Sequence, residues 1–118
     1  MTDQIQHPAV VSVVRVDPFY SDTPPYDPDT AYPEYPFARF GVGREPNPGY
    51  RAVRDALAAL GLDADRFGAT GWNPLGRFIR PGQTVLLKPN FVVDQHCSGG
   101  DWYAIVTHPS VIRAVADY

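Results

Sequence analysis

Proline is the feature that most restricts what this chain can fold into. The sequence has 13 prolines in 118 residues, and seven of them fall between residues 18 and 46. Because proline has no backbone N–H and a fixed φ, the interiors of helices and central strands exclude it. We therefore expect regular structure outside residues 17–47 and a long loop within them.

This proline-rich segment, residues 17–47, is also dense in aromatic side chains. They are Phe19, Tyr20, Tyr26, Tyr32, Tyr35, Phe37 and Phe40. Loops of this length are uncommon in compact domains and are usually functional or disordered. Since each ring can bury a large apolar area at small entropic cost, we favour an ordered segment that covers the core. The alternative is a proline-rich ligand for the groove of a partner protein.

Two apolar runs predict β-strands. Residues 9–16 and 84–88 are rich in β-branched or aliphatic side chains, and their apolar pattern is nearly continuous. Such runs are typical of strands that are buried on both faces of a parallel sheet. With helical patterns after each run, the sequence predicts an α/β fold with a mainly parallel sheet and flanking helices. Residues 17–47 are then an insertion loop after the first strand.

The most distinct helical pattern begins at residue 47. Asn47 can cap the helix, Pro48 suits its first position, and Gly61 supplies a left-handed stop. The apolar stripe consists of Tyr50, Val53, Leu57 and Leu60. We expect Arg51, Arg54 and Asp55 to lie on the opposite, solvent-facing side.

A second helix is predicted to begin at Pro109, with Thr107 or His108 as its N-cap. Its apolar stripe of Val111, Ile112 and Val115 continues towards Tyr118 without a stop signal. We therefore expect residues 1–118 to be the N-terminal part of a single, incomplete α/β domain.

Charge and cysteine content exclude several classes of protein. The net charge is −3 and no basic run occurs, so a nucleic-acid partner is not expected. The first apolar run is too short for a signal peptide or a membrane span, so no membrane partner is expected either. A single cysteine, Cys97, excludes an internal disulfide framework. The cytoplasm is the expected compartment.

Residues 88–108 are the predicted ligand site. Lys88 and Asn90 follow the second predicted strand, where ligands of open α/β sheets bind. The helix after His108 would add free N–H groups and a positive dipole end, so a small anionic molecule is the expected ligand. The alternative is structural: Lys88 extends into solvent from a strand end, and Asn90 bonds to turn backbone.

The same loop contains residue types that can bind metal. Besides Asp94, Asp101 and His108 it carries His96 and Cys97, whose thiolate and imidazole favour zinc or iron. Adjacency makes simultaneous binding by His96 and Cys97 awkward. A cysteine–histidine nucleophile pair is a further possibility, and ordinary loop polarity is the alternative to both.

Two motifs resemble the domain of unknown function 362 family. They are the strand end Val85-Leu86-Leu87-Lys88-Pro89-Asn90 and the helix start Thr107-His108-Pro109, followed by Val111, Ile112, Ala114 and Val115. The resemblance covers about residues 48–118 and implies ligand-binding roles for Lys88, Asn90, Thr107 and His108. It also implies that any iron–sulfur cluster would lie in a missing downstream region, because one cysteine cannot hold a cluster.

Two functions are therefore expected. The first is an enzyme of that family that binds a small anionic substrate or cofactor near Lys88 and His108, with an unspecified reaction. The second is a non-catalytic binding or assembly module that contacts a protein partner through residues 17–47.

Overall fold

The computed structural model describes residues 9–118. They form two α-helices, α1 (Pro48–Ala59) and α2 (Pro109–Asp117), which pack against each other. Three single-turn 3₁₀ helices lie at Ala38–Phe40, Ala64–Arg66 and Trp102–Ala104. The remaining described residues form turns and irregular segments.

The predicted α/β fold is wrong, because no strand and no sheet occur between residues 9 and 118. Residues 9–16 and 84–88 form neither strand nor helix. Val13 in the first run is 89% exposed and Leu86 in the second is 90% exposed. A β-branched run needs a neighbouring strand to supply hydrogen bonds and burial, and composition alone does not provide that neighbour.

The first helix forms as its cap predicts. The Asn47 side chain accepts a hydrogen bond from the Tyr50 backbone N–H at 3.1 Å. Its amide nitrogen donates to the carbonyl oxygens of Tyr26 and Asp27, both at 3.0 Å. Gly61, with φ +71°, follows the helix end. The cap therefore starts α1 and also fixes the proline-rich segment against it.

The proline-rich segment supplies part of the core, as expected of an ordered covering segment. The core cluster consists of Tyr35, Tyr50 and Ala114, one each from this segment, α1 and α2. Partly buried side chains around it are Tyr32, Val42, Val53 and Tyr118. The sheet that was expected to carry the core is thus replaced by two short helices and an aromatic loop.

Arg54 was predicted to face solvent, but it is only 9% exposed. Its guanidinium pairs with the Glu34 carboxylate, which also accepts a hydrogen bond from the Tyr118 hydroxyl at 2.9 Å. The guanidinium lies over the rings of Tyr32, Phe67 and Trp72, at 4.3, 4.7 and 5.5 Å from their centroids. We call Arg54, Glu34 and these three rings the arginine box. It brings a charged residue of α1 into the interior.

A second polar network joins both helices to the proline-rich segment. The Tyr50 hydroxyl donates to Asp117 at 2.9 Å, and Arg113 Nε donates to the same carboxylate at 2.9 Å. Arg113 also pairs with Asp27 at 3.0 Å, and the Tyr35 hydroxyl donates to Asp27 at 3.1 Å. Burial and the neighbouring Asp117 carboxylate raise the pKa of Tyr50 far above its usual value of 10.0. The tyrosine therefore remains a hydrogen-bond donor.

Gly49 permits the close approach of α1 to α2. A Cβ at this position would lie 2.5 Å from Ser110 Oγ and 3.3 Å from Tyr20 Cδ1. In an open helix, glycine to alanine gains up to about 1 kcal/mol. Here we expect Gly49→Ala to cost about 1–3 kcal/mol in the free energy of unfolding, because the added methyl group has no room. Urea denaturation measures this cost.

Gly71→Ala is the matched control for that substitution. A Cβ at Gly71 would contact only Arg66 Cδ, at an ordinary 3.9 Å. We expect its unfolding midpoint to stay close to that of the wild type. A Gly49→Ala protein as stable as the wild type would contradict the tight contact between the helix starts.

Candidate functional site

His108 lies at the start of α2 inside a set of aromatic rings. It is 2% exposed. The Tyr20 ring stacks on the imidazole with centroids 4.1 Å apart and planes 5° apart. Tyr26 and Tyr103 approach it edgewise, at 5.3 and 4.4 Å between centroids. We call these four side chains the histidine cage.

The hydrogen bonds of the imidazole fix where its proton lies. Nδ1 accepts the backbone N–H of Ser110 at 3.1 Å and is 2.8 Å from the Ser110 hydroxyl oxygen. An acceptor nitrogen carries no proton, so this pattern assigns the proton of the neutral ring to Nε2. Burial lowers the pKa of His108 below 6.5, although the carboxylates of Asp22 and Asp101 partly oppose that shift. The ring is therefore neutral at pH 7.

The other side of the imidazole carries the Nε2–H group. It has no hydrogen-bond partner within residues 9–118, where both bonds of the ring involve Nδ1. In the same part of the chain, no polar side-chain atom that is shut off from solvent lacks a partner. Nε2 must therefore reach solvent, which it can do through the cleft of about 910 Å³ that His108 lines. The rest of this His108 cleft is formed by residues 13–20 with Asp22, by the first turns of α1, by the segment around Tyr103 and by Val111 of α2.

The His108 cleft is rich in carboxylates. Asp17, Asp22 and Asp101 line it, and Arg15 is the only cationic side chain among the described residues that do so. Asp17 also pairs with Arg51 at 3.5 Å, outside the lining. The cleft therefore carries net negative charge, which favours a cationic or neutral ligand over an anion.

The start of α2 does not offer the free N–H groups that the predicted anion site needs. Ser110 N–H is bonded to His108 Nδ1, and Val111 N–H is bonded to the His108 carbonyl at 3.0 Å. Pro109 has no N–H to give. The histidine side chain thus occupies the position that an anion would take at a free helix start.

Asn90 and Thr107 lie close together, and the hydrogen bonds between them join two separate segments of the chain. Thr107 N–H donates to the Asn90 carbonyl at 3.0 Å, and Asn90 N–H donates to Thr107 Oγ1 at 2.9 Å. Lys88 is exposed and lines a separate cavity of about 170 Å³ together with Thr107. His108 lines the larger cleft instead. The four predicted ligand residues are therefore divided between two places, and an anion site at Lys88 stays a prediction.

The predicted metal site at His96 and Cys97 is wrong. Between residues 9 and 118, no group of three potential metal ligands lies close enough to hold an ion. His96 Nδ1 instead accepts the backbone N–H of Ser98 at 3.2 Å, within a local turn, and Cys97 is exposed. The imidazole thus accepts a hydrogen bond from the backbone of its own turn. Within the described residues, no third potential ligand joins His96 and Cys97.

Sequence reasoning missed most of the histidine cage. Tyr20 and Tyr26 were noted only as parts of the proline-rich segment, and Tyr103 and Asp22 were not singled out. Tyr20, Asp22 and Tyr26 lie more than 80 positions before His108, so local spacing carries no trace of their proximity, whereas Tyr103 lies only five positions before it. One property of the sequence pointed towards the cage. Tyrosine has an apolar ring and a polar hydroxyl, so it suits a site that is apolar on one side and polar on the other.

Comparison with known proteins gives no relative. No protein-family model, curated protein or solved structure matches this chain. Neither α-helix in the described part of the chain has the length and hydropathy needed to cross a membrane.

Proposed function

We propose that this chain is a small-molecule-binding domain whose ligand enters the His108 cleft and accepts a hydrogen bond from His108 Nε2. One observation supports this most. Three tyrosine rings pack around an imidazole that is only 2% exposed and lines the cleft, and its Nε2–H group has no partner in residues 9–118. Since Nε2–H reaches solvent, a ligand acceptor would take the place of water there, and such a hydrogen bond contributes about 0.5–1.5 kcal/mol net.

The geometry supports hydrogen-bond donation by His108 rather than general base catalysis. A base must accept a proton on the nitrogen that faces the substrate. Nε2 already carries the proton, and protonation of Nδ1 would break its hydrogen bond from Ser110. We therefore propose binding without assigning a reaction.

The other expectations remain proposals of lower rank. The resemblance to the domain of unknown function 362 family, an anionic ligand at Lys88 and a cytoplasmic location all stay predictions. An assembly surface in residues 17–47 cannot use Tyr32 and Tyr35, since both rings pack in or against the core. It would need exposed rings such as Phe40.

Nitrogen-15 NMR of the histidine rings tests the proposed function. We expect long-range ¹H–¹⁵N correlations to place the His108 proton on Nε2 at pH 7.5. Titration with N-methylacetamide, a small neutral acceptor, should then shift the His108 ring resonances saturably. His96 is an internal control, because it lies outside the cleft lining.

Two results would contradict the proposal. A proton on Nδ1 would remove the donor from the cleft. Equal, non-saturating shifts at His96 and His108 would show that the probe does not bind in the cleft.

A further inference from the structure

Two carboxylates adjoin the aromatic wall of the His108 cleft. Asp22 follows Tyr20 by two positions, and Asp101 precedes Tyr103 by two positions. All four side chains line the cleft, and the two tyrosine rings are 6.4 Å apart between centroids. Aromatic faces beside carboxylates are the surroundings in which proteins bind ammonium groups.

The charges of these carboxylates are not neutralised within the described chain. Neither Asp22 nor Asp101 forms an ion pair with any residue between 9 and 118. Asp101 accepts the backbone N–H of Tyr103 at 2.9 Å, which orients the carboxylate but leaves its charge. A bound cation would therefore gain attraction that the protein itself does not supply.

The donor at His108 restricts where a cation can lie. Nε2–H presents a partial positive charge, so an ammonium group next to it would be repelled. A ligand that satisfies both features has an ammonium group near the carboxylates and a separate oxygen acceptor near Nε2. A carboxylate on the ligand would be repelled by the net negative charge of the cleft. Free amino acids are therefore disfavoured.

We infer that the His108 cleft binds a small organic cation of the amino-alcohol class, with its ammonium group at Asp22 and Asp101 and its hydroxyl oxygen at His108. This inference rests on the proposed function of the cleft and adds the chemical class of the ligand. The support is the almost fully buried His108 side chain, which lines the cleft and whose Nε2–H group has no partner in residues 9–118, together with two carboxylates that form no ion pair there.

Choline and its uncharged isostere 3,3-dimethylbutan-1-ol form a matched pair of probes. NMR titration of the full chain, followed at His108 and Tyr103, gives both dissociation constants. We expect choline to bind about 3–10-fold more tightly, because each exposed carboxylate contributes up to about fivefold. The double substitution Asp22→Asn and Asp101→Asn should abolish this preference. Asparagine at position 101 keeps an oxygen that can accept the Tyr103 N–H.

Asp65→Asn is the matched control, since Asp65 is exposed and lies outside the cleft lining. It should leave the choline preference unchanged. Equal affinity for the two probes, or a preference that survives loss of both carboxylates, would overturn the inference but leave the proposed function intact. If neither these probes nor N-methylacetamide shifts His108, the proposed function fails as well.

Discussion

Replacing Glu34 by alanine should lower the free energy of unfolding by about 3–5 kcal/mol. The substitution leaves the Arg54 guanidinium charged, 9% exposed and without its carboxylate inside the arginine box. It also removes the acceptor of the Tyr118 hydroxyl. Removal of one partner from a buried ion pair is costly because the desolvation of the other charge is no longer offset.

The double variant Glu34→Leu with Arg54→Met removes both charges of the ion pair. Its comparison with Glu34→Ala distinguishes the effect of losing the whole pair from the effect of leaving one charge buried. Apolar side chains of similar volume can replace a buried pair with little loss of stability. We therefore expect urea denaturation to show that the double variant is more stable than Glu34→Ala alone. Asp55→Ala is the control, since Asp55 is 3.9 Å from Arg54 but its side chain is 42% exposed. If Glu34→Ala cost no more than Asp55→Ala, the box would be energetically unimportant.

Acidic pH should remove the stabilisation that the Glu34–Arg54 ion pair provides. Burial alone would raise the pKa of Glu34, but hydrogen bonds from Arg54, its own backbone N–H and Tyr118 outweigh burial and lower it below 4.5. A carboxyl with a lowered folded-state pKa stabilises the fold above its unfolded pKa and loses that contribution as pH falls through the folded value. The stabilities of the wild type and Glu34→Ala should therefore converge below pH 4.5.

Replacing His108 by alanine should cost about 3 kcal/mol in the free energy of unfolding. Its stacked contact with Tyr20 is worth about 0.5–1.5 kcal/mol and the cap of α2 about 1 kcal/mol, and an unfilled cavity adds more. His108→Asn should cost less, because asparagine can still accept the Ser110 N–H. His96→Ala, in a loop turn, should stay within about 1 kcal/mol of the wild type.

The His108 contribution should also depend on pH. Because burial lowers its pKa, the unfolded chain takes up the proton more readily than the folded chain. The stabilisation is therefore present above pH 6.5 and is lost as pH falls from there through the lower folded value. Urea denaturation at several pH values between 7.5 and 5 measures this slope, which His108→Asn should reduce. An unchanged slope in that variant would show that another group titrates.

The helix starts could be predicted because their signals are local. Asn47 lies three residues before the N–H that it caps, and His108 lies two residues before its own. The predicted sheet failed for the opposite reason. Residues 9–16 and 84–88 have strand-like composition, but a strand depends on a partner that composition does not identify. Arg54 was likewise placed on the solvent face, because helix periodicity cannot foresee a carboxylate from the preceding loop.

The candidate site was predictable only in part. His108 was named as a site residue from its place before Pro109, but with Lys88 and Asn90 as partners. The structure instead gives it Tyr20, Tyr26 and Tyr103. Two of those partners come from a loop more than 80 positions away, and such pairings leave no periodic signal.

The long-range hydrogen bonds of the arginine box and of the second polar network also constrain how the chain can fold during synthesis. Tyr118 bonds to Glu34, and Asp117 bonds to Tyr50, across 84 and 67 positions of sequence. A nascent chain held in the ribosome cannot form these contacts until its residue 118 has emerged, so α1 must leave the exit tunnel long before its partners exist. Contacts so distant in sequence also slow folding, because their loops must close first. We therefore expect folding of this region to be completed late, after α1 and the proline-rich segment have left the exit tunnel.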